Sequence, residues 1–381
     1  MGVRTTPRSL DLAITHHCNL RCKYCSYFTS TGDVHQDLPK GEWIKFFEEL
    51  NTCAVMEVCL SGGEPFLRED LRELIEGIVQ NRMRFRILSN GTLITAETAS
   101  FLKSTRRCSG VQVSIDGSIP TTHDACRGEG NFLKAIEGIQ HLLRYDLPIS
   151  VRVTIHKHNV WDLEEIAHFL LEEMGLPQFS TNSASYMGLC RQNAEQVMLT
   201  PKERTWAMEV LLSLSRKYNG RITASAGPLA EARSWAEMER ARREGKGSIP
   251  ERGFLMGCNG PMSKIAVRTD GVMVPCDQMS HMELGRINQD ELKEVWQNHP
   301  ELKRLRERRN IPLSDFEYCR CCDYVNYCTG NCPALAYTLY GEENHPSPDG
   351  CLRRFLEAGG RLPDERLLGI TMSGQSDKRK G

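Results

Sequence analysis

In the first half of the chain, short apolar runs rich in β-branched residues alternate with longer stretches of helical periodicity. The runs are Leu10–Thr15, Val55–Leu60, Phe85–Leu88, Val111–Ile115, Ile149–Ile155 and Gln178–Thr181. Helical patterns at 39–52, 68–81, 95–104, 131–145 and 162–174 lie between them, with apolar residues at i, i+3 and i+4, as in Leu71, Leu74, Ile75 and Ile78. This alternation predicts parallel strands, right-handed crossovers and helices outside. Six such units predict an α/β fold, a partial (β/α)6 TIM-like barrel, with its chemistry at the C-terminal strand ends. Three loops fall on that rim: a cysteine loop after strand one, Gly62-Gly63-Glu64-Pro65 after strand two and Ser89-Asn90-Gly91 after strand three.

From residue 200 the pattern changes. Thr200-Pro201-Lys202-Glu203 reads as an N-cap, a first-turn proline and a capping-box glutamate, predicting a helix to about 217. The charged segment Glu231–Arg243 reads as a solvated helix, and 244–253 as a linker. The expected layout is a lead over 1–8, the barrel over 9–199, a helical bridge and linker over 200–254, a cysteine-rich domain over 255–361, and a disordered tail over 362–381.

The length of 381 residues suits two domains, or one with an extension. A net charge of -1 argues against nucleic acid or an anionic membrane as partner. No apolar stretch approaches the roughly 20 residues of a membrane span. Met1-Gly2-Val3-Arg4 lacks the apolar core of a signal peptide, so a cytoplasmic location is expected. Sixteen cysteines in a reducing compartment favour metal ligation over disulfides.

Cys18, Cys22 and Cys25 are spaced C-x3-C-x2-C, and the next cysteine, Cys53, falls in a separate helix pattern. Three thiolates on a four-iron cubane leave one iron open for an outside ligand. The alternative is a zinc site or plain buried thiols. His16 and His17 adjoin the motif, but neighbours in an extended segment point opposite ways and do not easily join one tetrahedron.

The segment Thr15-His16-His17-Cys18-Asn19-Leu20-Arg21-Cys22-Lys23-Tyr24-Cys25, with Gly62-Gly63-Glu64-Pro65 downstream, resembles the radical S-adenosylmethionine (SAM) enzymes. The resemblance implies that the open iron chelates SAM and that a 5′-deoxyadenosyl radical abstracts hydrogen from substrate. It implies that Gly62, Gly63, Glu64 and Pro65 hold the SAM amino group and that Tyr24 lies beside the adenine, unless Tyr24 anchors the loop. Ser89 and Asn90 border the same site. Ser114 and Asp116 match the segment that binds ribose and carboxylate, Arg127 the partner of the SAM carboxylate, and Asn159 a more distant match.

Eight cysteines lie between residues 258 and 351. Cys258 and Cys276 frame a turn at Thr269-Asp270-Gly271-Val272 of the Asp-Gly hairpin kind. Cys319, Cys322, Cys328, Cys332 and Cys351 follow at spacings that resemble the seven-cysteine SPASM domain appended to many peptide-modifying radical SAM enzymes. That likeness implies one auxiliary cluster on Cys319, Cys322, Cys328 and Cys351. It implies a second on Cys258, Cys276 and Cys332, making three [4Fe-4S] clusters in all. Cys321 is surplus and expected to face solvent. By the same likeness Asp277 deprotonates a substrate radical, or else caps a turn. Cys190 is either a hydrogen donor to such a radical or a small buried residue. Cys53, Cys59 and Cys108 are read as core.

The resulting expectation is a cytoplasmic radical SAM/SPASM enzyme that crosslinks a ribosomally made precursor peptide, similar to the SynChlorMet-cassette group. Implied partners are a flavodoxin- or ferredoxin-type reductant and a separate leader-binding protein. The alternatives are a cofactor- or small-molecule-biosynthetic enzyme of the haem-related type, a peptide epimerase, and a non-catalytic iron–sulfur electron carrier.

Overall fold

The computed structural model describes residues 3–28, 36–258, 260–364 and 366–367. Seven parallel strands run in sequence order: β1 (Ser9–Thr15), β2 (Glu57–Gly62), β3 (Arg84–Ser89), β4 (Cys108–Ser114), β5 (Ile149–Ile155), β6 (Phe179–Ser183) and β7 (Ile222–Ala224). The helices α1 (Lys40–Thr52), α2 (Leu71–Gln80), α3 (Ala96–Ser104), α4 (Pro120–Arg127), α5 (Asn131–Arg144) and α6 (Leu163–His168) fill the crossovers. Six strands were expected. The seventh is three residues long and pairs with β6, too short to carry a sequence pattern of its own.

Alternation along each strand divides the sheet into two faces. Leu10, Leu12, Val58, Leu60, Phe85, Ile87, Val111, Val113, Val151 and Val153 are fully buried with Trp43, Phe46 and Phe47 of α1 in one core under the helices. The intervening residues face the concave side, where the sheet curls around a lumen.

The C-terminal region continues this sheet instead of standing apart. Strand β8 (Lys264–Val267) pairs parallel to β1, and β9 (Val272–Val274) and β10 (Gly285–Arg286) extend the edge antiparallel. The Asp-Gly turn joins β8 to β9, with Gly271 at φ +86°.

The capping box forms as expected: the Thr200 N–H donates to Glu203 Oε2 at 2.8 Å, and Thr200 Oγ1 accepts from the Glu203 N–H at 3.3 Å. The charged segment differs from expectation. The helix Pro228–Arg243 is not solvated all round but buries Leu229, Ala232, Trp235, Ala236 and Met238. Its buried Glu239 accepts from Arg242, Arg243 and Tyr324, and these bonds, Arg242 foremost, hold its carboxyl at about 2. The expected linker is docked as well, Gly253 N–H donating to Cys328 O at 2.8 Å. Of the tail, Leu362 and Leu367 pack on the core. The disorder expected beyond them falls on residues 368–381, outside the described residues.

Candidate functional site

The cysteine loop leaves β1 on a set of backbone ties. Thr15 Oγ1 and the His16 N–H both donate to Asp37, at 2.5 and 2.7 Å. The Gly63 and Glu64 N–H groups donate to Thr15 O and His17 O, both at 2.8 Å. This close approach demands the glycines: a Cβ on Gly62 would sit 2.2 Å from Thr15 O, and one on Gly63 2.1 Å from His17 O.

Glu64 is fully buried, and its carboxylate joins two rim loops. It accepts from Ser89 Oγ (2.8 Å), the Asn90 N–H (2.7 Å) and the Phe66 N–H (3.2 Å), the last bond capping the turn that starts at Pro65. Burial pushes its pKa up to about 7 against those three donors. Asn90 Nδ2 donates to Asn19 in the cysteine loop at 2.9 Å.

A second buried network underlies the β4 end. Asp116 accepts from Arg127 Nε (2.5 Å), from the Thr154 N–H (2.7 Å) and from the Tyr24 hydroxyl. Asn159 Nδ2 donates to Asp116 O at 2.8 Å. Burial would raise the Asp116 pKa, but Arg127, His156 and His123 together outweigh it and hold it below the ordinary value. Tyr24 stacks on His156 at 5.4 Å. Tyr24 and Arg127 therefore brace the loop through Asp116, and Ser114 stands half-buried two residues before it.

The cysteines gather in three groups, recognisable because the thiols that share a group with Cys22, Cys319 and Cys276 add to the rise in the pKa of each of those three. Cys18, Cys22 and Cys25 form one; Cys319, Cys322, Cys328 and Cys351 a second; Cys258, Cys276 and Cys332 a third. Cys321 is exposed, as expected. Burial, the largest cause, pushes Cys22 and Cys276 up to about 12 and Cys18, Cys319 and Cys328 up to about 11. Among the described residues no three His, Cys, Asp or Glu side chains close around a single-ion position. A cubane, whose thiolates sit on separate irons, does not require that.

Asp277 follows Cys276 at the mouth of the lumen, open to solvent yet flanked by protein. That enclosure pushes its pKa up to about 7, Asp11 adding to the rise and Lys264 opposing it. Cys190 lies elsewhere. It is fully buried behind the cysteine loop with Tyr24, Cys126, Ala184 and Val197, which favours a packing role.

The radical SAM superfamily signature matches residues 12–170, and that of SPASM, an iron–sulfur cluster-binding domain, matches residues 258–323. This is a radical SAM/SPASM enzyme. It is 27% identical over 358 residues to the "AdoMet-dependent heme synthase" of Methanosarcina barkeri, covering 91% of this chain and 97% of that one. It is 23% identical over 346 residues to the "PqqA peptide cyclase" of Ruegeria pomeroyi, covering 90% and 86%. In fold it is similar to Streptococcus suis SuiB bound to precursor peptide SuiA, with a TM-score of 0.70 at 15% identity over 92% of this chain and 77% of that one. It is similar also to anSMEcpe with bound AdoMet, with a TM-score of 0.68 at 19% identity over 95% and 98%.

The radical SAM/SPASM enzyme binds SAM and iron–sulfur clusters, and its residues fit the clusters. Backbone N–H groups two residues on point at the sulfurs of Cys18, Cys258, Cys276 and Cys328, at 3.3–3.4 Å, as thiolate ligands need. Arg308 is 3% exposed and lies beside Cys258 and Cys332, with Nε and Nη2 lacking any acceptor among the described residues. Orphaned donors at that place suit cluster sulfides. No helix among the described residues is long and apolar enough to cross a membrane.

One lumen residue escaped the sequence reading. Cys59, read as core, is buried as expected, on the concave face of β2, whereas Arg152 was not singled out and is on that of β5. The signal was present: each alternates with apolar neighbours that face the helices.

Proposed function

We propose that this enzyme modifies a ribosomally made precursor peptide by forming an intramolecular crosslink, a thioether or a carbon–carbon bond. When bound, the cluster at Cys18, Cys22 and Cys25 supplies the electron that cleaves SAM to a 5′-deoxyadenosyl radical. Gly62, Gly63, Glu64, Pro65, Ser89, Asn90, Ser114 and Asp116 form the rim against which SAM is held, with Tyr24 and Arg127 fixing its depth. After one hydrogen atom leaves the peptide, crosslinking requires loss of one further proton and one electron. Asp277 takes the proton, which its raised pKa favours at neutral pH. The two C-terminal cysteine groups would each hold one auxiliary [4Fe-4S] cluster, three in all, and these would supply the acceptor for that electron. A flavodoxin- or ferredoxin-type protein supplies the initial electron, and a separate protein binds the leader.

The observation that carries this reading is the pairing of Asp277 with Cys276 at the lumen mouth, a proton acceptor beside an electron exit. Epimerisation needs neither, and Cys190 is fully buried against the cysteine loop, packed with Tyr24 and Cys126. A second reading is kept by the haem-synthase relative, which covers as much of the chain as the peptide cyclase: oxidation of a porphyrin side chain. Mass spectrometry of a co-expressed precursor decides between them. Loss of two hydrogens supports the crosslink, deuterium uptake without other mass change supports epimerisation, and an unmodified peptide with a converted porphyrin overturns the peptide reading.

A further inference from the structure

The concave face is charged where an ordinary barrel interior is packed with branched apolar side chains. Asp11, Cys59, Arg86, Arg152 and Lys264 occupy it, each next to helix-facing residues such as Leu12, Leu60, Ile87, Val153 and Ile265. Lys264 is ion-paired with Asp11, and Arg86 Nη2 lies 3.6 Å from Glu57 Oε1. The side chain of Arg152 has no ion pair or hydrogen bond among the described residues, and its Nε is buried without an acceptor. The charge felt by Arg152 is that of Cys59, on a strand separated from β5 by β3 and β4.

The Arg152 side chain is half-buried, and its shielded Nε has neither an acceptor nor a counter-charge among the described residues, which leaves a place for an anion. The planar fork suits a carboxylate held by two parallel hydrogen bonds. SAM carries one carboxylate of its own. However, Arg152 lies beside Ser114, two residues before Asp116, and points at the inner wall where Cys59 stands three residues before Gly62. Its neighbourhood is the wall that also carries Asp11, Lys264 and Asp277, which surround the same Cys59.

We infer that Arg152 anchors a carboxylate of the substrate in the lumen beneath the SAM rim, so that the substrate is acidic next to the position that reacts. The inference rests on the reading that the lumen receives the substrate. The carboxylate belongs to an Asp or Glu side chain if the substrate is a peptide, or to a propionate if it is a porphyrin.

The test uses glutarate as a minimal probe, titrated calorimetrically into the full-length, cluster-reconstituted, SAM-loaded enzyme. Saturable binding is expected, with none for uncharged glutaramide. Arg152→Gln should weaken glutarate at least tenfold, and Arg152→Lys, which keeps the charge but loses the fork, should weaken it less. Absence of binding to the parent enzyme, equal binding by both variants, or loss of SAM in place of glutarate would overturn the assignment. Displacement then separates the sources. If the precursor peptide displaces glutarate, and stops doing so when one acidic residue becomes its amide, both readings stand. If only iron coproporphyrin III displaces it, Arg152 keeps its role and the peptide reading fails. Displacement by neither overturns the role of Arg152.

Discussion

The two cysteine-bearing ends of this enzyme are built on opposite principles. Around Cys18, Cys22 and Cys25 the buried charges are met within the protein: Glu64 holds three donors, and Asp116 is shared by Arg127, Tyr24 and Thr154, while the ring nitrogens His123 Nε2 and His156 Nε2 have no partner among the described residues. Around Cys258, Cys276 and Cys332 it is a charged group, Arg308, that points donors at no acceptor among the described residues. The buried charges of the N-terminal pocket are paired by the protein, whereas that of the C-terminal one is left for a ligand. Regular structure follows the same division. The barrel rim hangs on strand ends, while Cys319 sits in the single turn Glu317–Arg320, Cys328 ends the single turn Val325–Tyr327, and Cys322 lies between the two.

The largest effect should come from the first end, and it should be chemical and not structural. Replacing Cys18, Cys22 and Cys25 together with Ala should abolish 5′-deoxyadenosine formation and remove about four irons, while the unfolding transition of the barrel stays in place. Residual 5′-deoxyadenosine would show that SAM is cleaved elsewhere. Loss of the folded barrel would show that this end also depends on its cluster, and the contrast would fall.

Next in size is the buried ion pair. Arg127→Met strands Asp116 without its counter-charge, which costs on the order of 3–5 kcal/mol in a buried setting. Asp116→Asn with Arg127→Met should recover part of that loss, since the charge is removed with its partner. Denaturant midpoints of the single and double variants measure it. Equal midpoints for Arg127→Met and wild type, with SAM affinity alone reduced, would make Arg127 a ligand contact and not a brace.

These two predictions show what the sequence made legible. The grouping of the seven C-terminal cysteines came from the SPASM resemblance and not from spacing, whereas the motif spacing pointed to Cys18, Cys22 and Cys25 and to the Gly62–Pro65 turn, because ligand spacing is a local property of the chain. The i, i+3, i+4 pattern located the helices for the same reason. What it did not show was which polar groups spend their hydrogen bonds on each other. Glu64 on Ser89, and Arg127 on Asp116, are 25 and 11 residues apart and meet only when strand ends are brought side by side. The solvated reading of Glu231–Arg243 failed similarly. Its charge run hid a buried apolar stripe, and the partners of Glu239 include Tyr324, 85 residues away. Strand β7 and the pairing of β8 with β1 were invisible, since edges are chosen by the sheet and not by the strand.

At the second end, Arg308→Gln should leave the fold intact and weaken the cluster on Cys258, Cys276 and Cys332. The two readouts are iron retained after gel filtration and the midpoint potential of that cluster. Loss of a cation beside it should lower the potential, because the more negative reduced form loses its stabilisation. Full iron content with an unchanged potential would mean that Arg308 is satisfied without the cluster, and the two ends would be alike.

The smallest effect is a pH dependence confined to the first end. His123 and His156 are fully buried against the Asp116 network, and burial, the largest cause for each, lowers both to about 4. Arg127 and Asp124 face His123, and His158 and Tyr24 face His156; Asp116 partly offsets the shift in both. An unfolded histidine titrates near 6.5. Between these values the unfolded chain binds more protons, so stability falls as pH drops from about 6.5 towards 4 and levels off below. Above 6.5 both histidines are neutral in either state and contribute no slope. Urea midpoints of the reconstituted enzyme between pH 7.5 and 4.5 should therefore decline only in the lower part of that range. His156→Gln should flatten part of the decline without changing iron content. An unaltered slope in that variant would mean that the acid sensitivity lies with the cluster thiolates, and then the C-terminal end would share it.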